Sequence, residues 1–115
     1  MLYNGAGKQI MQKTRFANSL FSKFKGLMFE TRKNFDYALI FPFSKESRIG
    51  SSIHMMFVFF PIDTIFLDKN KIVVDKSTLN PWLINYTPKK SAKYLIELPQ
   101  GKAKAIGIGE KLSWD

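Results

Sequence analysis

A chain of 115 residues with 45% hydrophobic and 23% charged side chains has the make-up of one soluble globular domain, spanning residues 1–115, with a single core. The absence of cysteine excludes a disulfide framework, a thiol nucleophile and a cysteine-type zinc site. Eighteen Lys and Arg stand against 9 Asp and Glu, a formal charge of +9, which raises the question of an anionic partner such as nucleic acid or a membrane surface.

The opening "MLYNGAGKQI" has no charged region followed by an apolar run, so it does not read as a secretory signal, and a cytoplasmic location is expected. Its "GAGK" lacks the early glycine of a phosphate-binding loop, and Gln9 replaces the final hydroxyl. "KQIMQKTRF", residues 8–16, alternates loosely and predicts a strand. In "NSLFSKFKGLMF" the period changes: Leu20, Phe24 and Leu27 share one helical face, with Phe21 and Met28 beside them. Asn18 or Ser19 can cap the start and Gly26 suits the end, which predicts a short helix of about two turns. "ETRKN" is a polar loop, "DYALIFPF" a strand closed by Pro42, and "SKESRIGSS" a second loop.

"SSIHMMFVFFPIDTIFLD", residues 51–68, is the most apolar stretch. It is too short for a membrane helix, and His54, Pro61 and Asp63 interrupt it, so no transmembrane segment is expected. Its Phe, Ile and Val content favours strand. Pro61 cannot donate to a ladder and divides the run into strands at 51–56 and 62–68. The second should form a hairpin with "KIVVDKS", paired antiparallel across an Asp68–Lys71 turn. "TLNPWLINYTPKK" is a long irregular stretch, and its Asn85-Tyr86-Thr87 sequon reads as chance. "SAKYLIELP" predicts a strand, Pro99 opens a short helix through Ala105 ended by Gly107 and Gly109, and "EKLSW" is a last strand. The sum is an α+β, mainly β domain: a small barrel-like, antiparallel or mixed sheet with two short helices.

"KGLMF", "PIDTIFLD", the Asn80-Pro81-Trp82 loop and "KYLIELPQGKAKAIGIGEKL" fall in one fixed order, and together they resemble the DUF192 family of small prokaryotic proteins of unknown function. The resemblance runs from about residue 9 to residue 114 and implies a small β-barrel-like domain with no agreed activity. Its closing pattern of strand, glycine, short helix, glycine, acid and strand matches Glu97, Gly101, Gly109 and Glu110. Many members carry Trp-Met-Lys-Asn-Thr where this chain has His54-Met55-Met56-Phe57-Val58, so a polar segment there is apolar here.

For chemistry, His54 and Asp63 could form an acid–base pair with Ser52 offering a hydroxyl, the parts of a hydrolase. The elbow that exposes a serine nucleophile and a glycine-rich oxyanion cluster are both missing, so no catalytic residue is assigned. The bland reading of Asp63 is a carboxylate accepting backbone or loop hydrogen bonds. One histidine among scattered acids gives no metal site, and no cofactor is expected. Apart from Arg15, Arg32 and Arg48 the basic residues are scattered lysines, which lack the guanidinium fork, so weak, non-specific nucleic-acid binding is the alternative to a solvated surface.

The favoured reading is a non-catalytic binding or accessory domain for a small ligand, a peptide or a protein partner, with His54, Asp63, Trp82, Met56, Phe57 and Lys25 as candidate binding residues. The alternatives are a nucleic-acid binder using its lysines and a hydrolase-like enzyme centred on His54. The six consecutive apolar residues Met55–Phe60 exceed what one buried strand face can hide, so they are either doubly covered core or a homodimer or partner contact centred on Met56 and Phe57.

Overall fold

The structure, a computed structural model, describes the backbone of residues 1–115 and all side chains except those of Leu20, Phe21 and Phe24. The predicted helical face of Leu20 and Phe24, with Phe21 beside it, therefore lies outside the described side chains.

The chain is mostly β and forms two sheets. The small sheet contains β1 (Leu2–Tyr3), β2 (Gln9–Met11) and β8 (Ser113–Trp114), in the order β2-β1-β8. The larger contains β3 (Thr14–Phe16), β4 (Ala38–Ser47), β5 (Ile62–Leu67), β6 (Val73–Leu79) and β7 (Ala92–Pro99), in the order β3-β4-β7-β5-β6. Every pairing is antiparallel except β3 with β4. The predicted hairpin forms, with Ile62 opposite Leu79 and Phe66 opposite Asp75.

Strand alternation explains how the larger sheet sorts its side chains. Leu39, Phe41, Ile62, Phe66 and Leu95 face one core, which Leu27, Phe35, Met55, Val58 and Phe60 cover. Ala38, Ile40, Ile65, Leu67, Ile96 and Leu98 face a second core, covered by Leu2 and Met11 of the small sheet and by Ala103, Ile106 and Leu112. The central strands are thus apolar on both faces, the pattern expected of a sheet covered on both sides.

Several expectations are corrected. The sheets do not close into a barrel: β3 and β6 end the larger sheet and the small sheet stands apart. The 8–16 strand is two strands, because β2 joins one sheet and β3 the other. Pro42 does not close β4. The strand runs on to Ser47, and an irregularity between Pro42 and Ser47 accommodates the residue that cannot donate to the ladder. Part of the predicted 44–52 loop is therefore strand, and the rest includes a 3₁₀ turn at Ile49–Ser51.

Of the two short helices, one forms: α1 (Leu20–Lys25), with Ser19 and Ser22 making a reciprocal capping box and Gly26 at φ 47° ending it. The second, Pro99–Ala105, is a series of turns instead. Gly101 at φ 94° breaks helical geometry, and the amides of Lys102, Lys104 and Ile106 each reach back only three residues. The final strand shrinks to β8, with Lys111 in a single bridge to Ile72.

The predicted 51–56 strand is absent. Ile53 exchanges two backbone hydrogen bonds with Tyr86, Met55 N–H donates to the Leu83 carbonyl, and Phe57 at φ 59° turns the chain back. The six apolar residues are sorted by this turn rather than by strand alternation: Met55, Val58 and Phe60 enter the core while Met56 and Phe59 are exposed.

Candidate functional site

The β7 segment "YLIELP" places an acid in an apolar strand. Glu97 has the same parity as Leu95, so its side chain enters the first core, between Leu39 of β4 and Thr64 of β5. It is 4% exposed, and its Oε1 has no hydrogen-bond partner among the described residues. Burial disfavours the charged form and pushes the carboxyl up to about 8, so at neutral pH it is largely protonated. An unsatisfied buried carboxyl oxygen costs free energy, which makes it a marker for a site that something else completes.

Glu97 lines a cavity of about 380 Å³, within the usual span of small-molecule sites. Leu27, Phe41, Phe43, Ile53 and Val58 supply apolar walls. Lys23 and Lys25 from α1 and Ser52 and His54 from the loop before β5 complete the lining. Lys23 Nζ sits 5.8 Å from the centre of the Phe43 ring. His54 Nδ1 accepts the Met56 N–H at 3.2 Å. Ser52 Oγ lies 2.8 Å from Thr87 Oγ1. Gly26 borders the cavity opposite the acid: a Cβ there would stand 3.8 Å from Glu97 Oε1.

The predicted site residues divide into three places. His54 and Lys25 meet at this cavity. Asp63 does not join them, because its parity on β5 is that of Ile65 and Leu67, on the opposite face of the sheet. Its Oδ1 accepts from Thr78 Oγ1 at 2.8 Å, and its Oδ2 accepts the amides of Gly101 and Ala103 at 2.9 and 3.0 Å. The Ser52–His54–Asp63 constellation is thus split by the sheet. Phe57 and Trp82 meet at a third place, and the side chain of Met56, next to Phe57 in the chain, is exposed. The Phe57 ring stacks on Phe29 with centroids 5.0 Å apart and tilts against Trp82 at 5.0 Å, and Phe59 meets Trp82 edge-on. Phe29, Phe57 and Trp82 all have positive φ, a conformation uncommon for aromatic residues. The Phe57 carbonyl accepts the Phe29 N–H and the Met55 carbonyl accepts the Trp82 N–H, which hold the three together.

The sequence reading missed Glu97 and Lys23 as site residues. The signal was present for Glu97: an acid at a core-facing position of an apolar strand needs a partner or a proton. Among the described residues no group of three or more His, Cys, Asp or Glu could hold a metal ion, and no helix is long and apolar enough to cross a membrane.

Two sheets, with a cavity beside a buried acid, define a small, mainly β domain. The chain belongs to the DUF192 family, described as an uncharacterized ACR, whose model matches residues 3–114. A UPF0127 protein of Pyrococcus furiosus is 42% identical over 100% of this chain and 97% of its own length. Among solved structures, a protein of unknown function from Novosphingobium aromaticivorans superposes with a TM-score of 0.77 at 21% identity, covering 88% of this chain and 74% of that one. One from Sinorhizobium meliloti, described as a candidate transcription regulator, superposes with a TM-score of 0.78 at 18% identity, covering 87% of this chain and 79% of that one. At these identities the two structures establish the shared fold alone.

Proposed function

We propose that this protein is a non-catalytic domain that binds a small ligand in the cavity between α1, the 52–58 loop and β7. One observation carries the reading: Glu97 is buried against that cavity with an oxygen that no described residue satisfies. A ligand atom able to accept or donate a hydrogen bond would satisfy it. His54 and Lys25 act as binding residues at the same cavity. A hydrolase centred on His54 has no support in the placement of Asp63, whose two oxygens are taken up on the far face of the sheet. The test is a fragment library screened by amide NMR. Binders should shift Gly26, Leu27, His54, Val58 and Glu97, and a library that leaves all five unmoved would sink the reading.

A second reading, a contact between two copies centred on Met56 and Phe57, draws support from the exposed aromatic cluster of Phe29, Phe59 and Trp82 around Phe57 and from the exposed side chain of Met56. Sedimentation of the wild-type chain and of the Met56→Lys, Phe57→Asn double variant decides it. Loss of a dimer with the fold retained supports the contact, and a wild-type monomer at all concentrations rejects it.

A further inference from the structure

We infer that the Glu97 cavity takes an amphipathic monoanion: a small molecule with an apolar body, an anionic group at one end and an uncharged oxygen acceptor at the other. The inference rests on the binding reading above and names the ligand class for the same site.

The inner end is set by Glu97. A protonated carboxyl donates one hydrogen bond and accepts another without net charge, so it suits a phenol, alcohol or carbonyl oxygen. An uncharged partner there leaves the carboxyl in the neutral form that burial favours. The middle is set by Leu27, Phe41, Phe43 and Val58, which offer nothing but apolar surface. The mouth is set by cations. Lys23 and Lys25 line the cavity from α1, and the ion pairs among the described residues, Met1–Asp115 and Lys13–Asp36, include neither of them. Glu97 is the only acid among the described lining residues, so none of them offers a second carboxylate that competes with a ligand's anion for these ammonium groups. The net charge of +9 adds a long-range attraction for anions and repulsion for cations.

Amide NMR titrations with four related probes test the class. These are 3-(4-hydroxyphenyl)propanoate, its primary amide, the amine tyramine, and 3-phenylpropanoate, which lacks the hydroxyl. The hydroxylated anion is expected to bind tightest and to shift Gly26, Leu27, His54, Val58 and Glu97. The neutral amide should bind about tenfold more weakly, as loss of a charge-assisted hydrogen bond implies, and 3-phenylpropanoate should also weaken. The Lys23→Gln, Lys25→Gln double variant, changed only at residues on the cavity's rim, should abolish the preference for the anion over the amide. If the amide or tyramine binds the cavity as tightly as the anion, the ligand class is wrong and the binding reading stands. The same holds if library fragments occupy the cavity and none of the four probes does. If no fragment and no probe occupies it, both fall together.

Discussion

Asp63 holds Ala103 across forty positions of chain, its Oδ2 accepting the Ala103 amide at 3.0 Å while also accepting that of Gly101. The carboxylate thereby replaces a helix as the organiser of the 100–105 turns, and Lys76 Nζ does the complementary work by donating to the carbonyls of Ala103 and Ile106. Asp63→Asn puts an NH₂ group among N–H donors and removes the charge that strengthens these bonds. Hydrogen bonds to a charged group are worth about 1.5–3 kcal/mol. The variant should lose about 2 kcal/mol of stability and melt roughly 10 °C lower. Hydrogen exchange at Gly101 and Ala103 should accelerate beyond the global loss. A melting temperature unchanged within a degree or two would remove Asp63 from this role.

Glu97 makes stability depend on pH in a stated direction. Its folded pKa, raised by burial to about 8, lies above the ordinary carboxyl value of 4.5. Below the lower value both states hold the proton and nothing is lost. Between the two, the unfolded chain releases a proton that the folded chain retains, so unfolding grows easier as pH rises, by an amount on the order of 5 kcal/mol across the window. Lys23, Lys25 and His54 line the same cavity. Chemical denaturation of wild type and Glu97→Gln between about pH 5 and 8 should show a slope in the first that is missing in the second. Parallel profiles would mean that Glu97 does not titrate in that range.

Phe57 combines two opposed effects. Its ring contacts two other aromatics, and its backbone at φ 59° is strained for a residue of that shape. Phe57→Ala loses the rings and keeps the strain. Phe57→Asn also loses the rings but tolerates the left-handed conformation, which costs most residues about 1 kcal/mol. The Asn variant should therefore be more stable than the Ala variant by roughly 0.5–1 kcal/mol in a urea titration. Equal or reversed stabilities would show that the strain is relieved in another way.

The lysines make a prediction about nucleic acid. Lys25 lies on α1 at the cavity, Lys69 and Lys71 flank the β5–β6 turn, and Lys102 and Lys104 sit in the turns after β7. Residues spread over separate elements neutralise few phosphates at once. Retention of the protein on DNA or RNA should be weak and should vanish by about 0.2 M salt, with no preference among sequences. Sub-micromolar, sequence-selective binding at that ionic strength would favour a nucleic-acid role instead.

Tyr86 and Asp75 show why the irregular 80–90 stretch has an ordered course. The Tyr86 hydroxyl donates to Asp75 Oδ2 at 2.6 Å, and the Lys89 amide donates to the same oxygen at 3.1 Å. Burial, and then the hydrogen bond to Asp75, push the Tyr86 hydroxyl up to about 12.

What the sequence determined by itself was local or periodic. A polar cap at Asn18 or Ser19 and the Gly26 end of α1, the hairpin of β5 and β6, the β7 strand, and the break at Pro61 all follow from residues within a few positions of one another. Four ordered motifs were enough to reach the family. Tertiary structure alone decided the rest, because the deciding partners are far apart in the chain. Whether 99–105 coils depended on Asp63 and Lys76. Whether 51–56 became a strand depended on Tyr86 and Leu83, which draw its backbone out of the sheets. His54 and Asp63, nine positions apart, were separated by the sheet that one of them helps to build. Glu97 and Lys23 line one cavity although more than seventy residues separate them in the chain. Alternation along a strand shows that an acid faces inward, but only the packed structure shows whether that interior is filled.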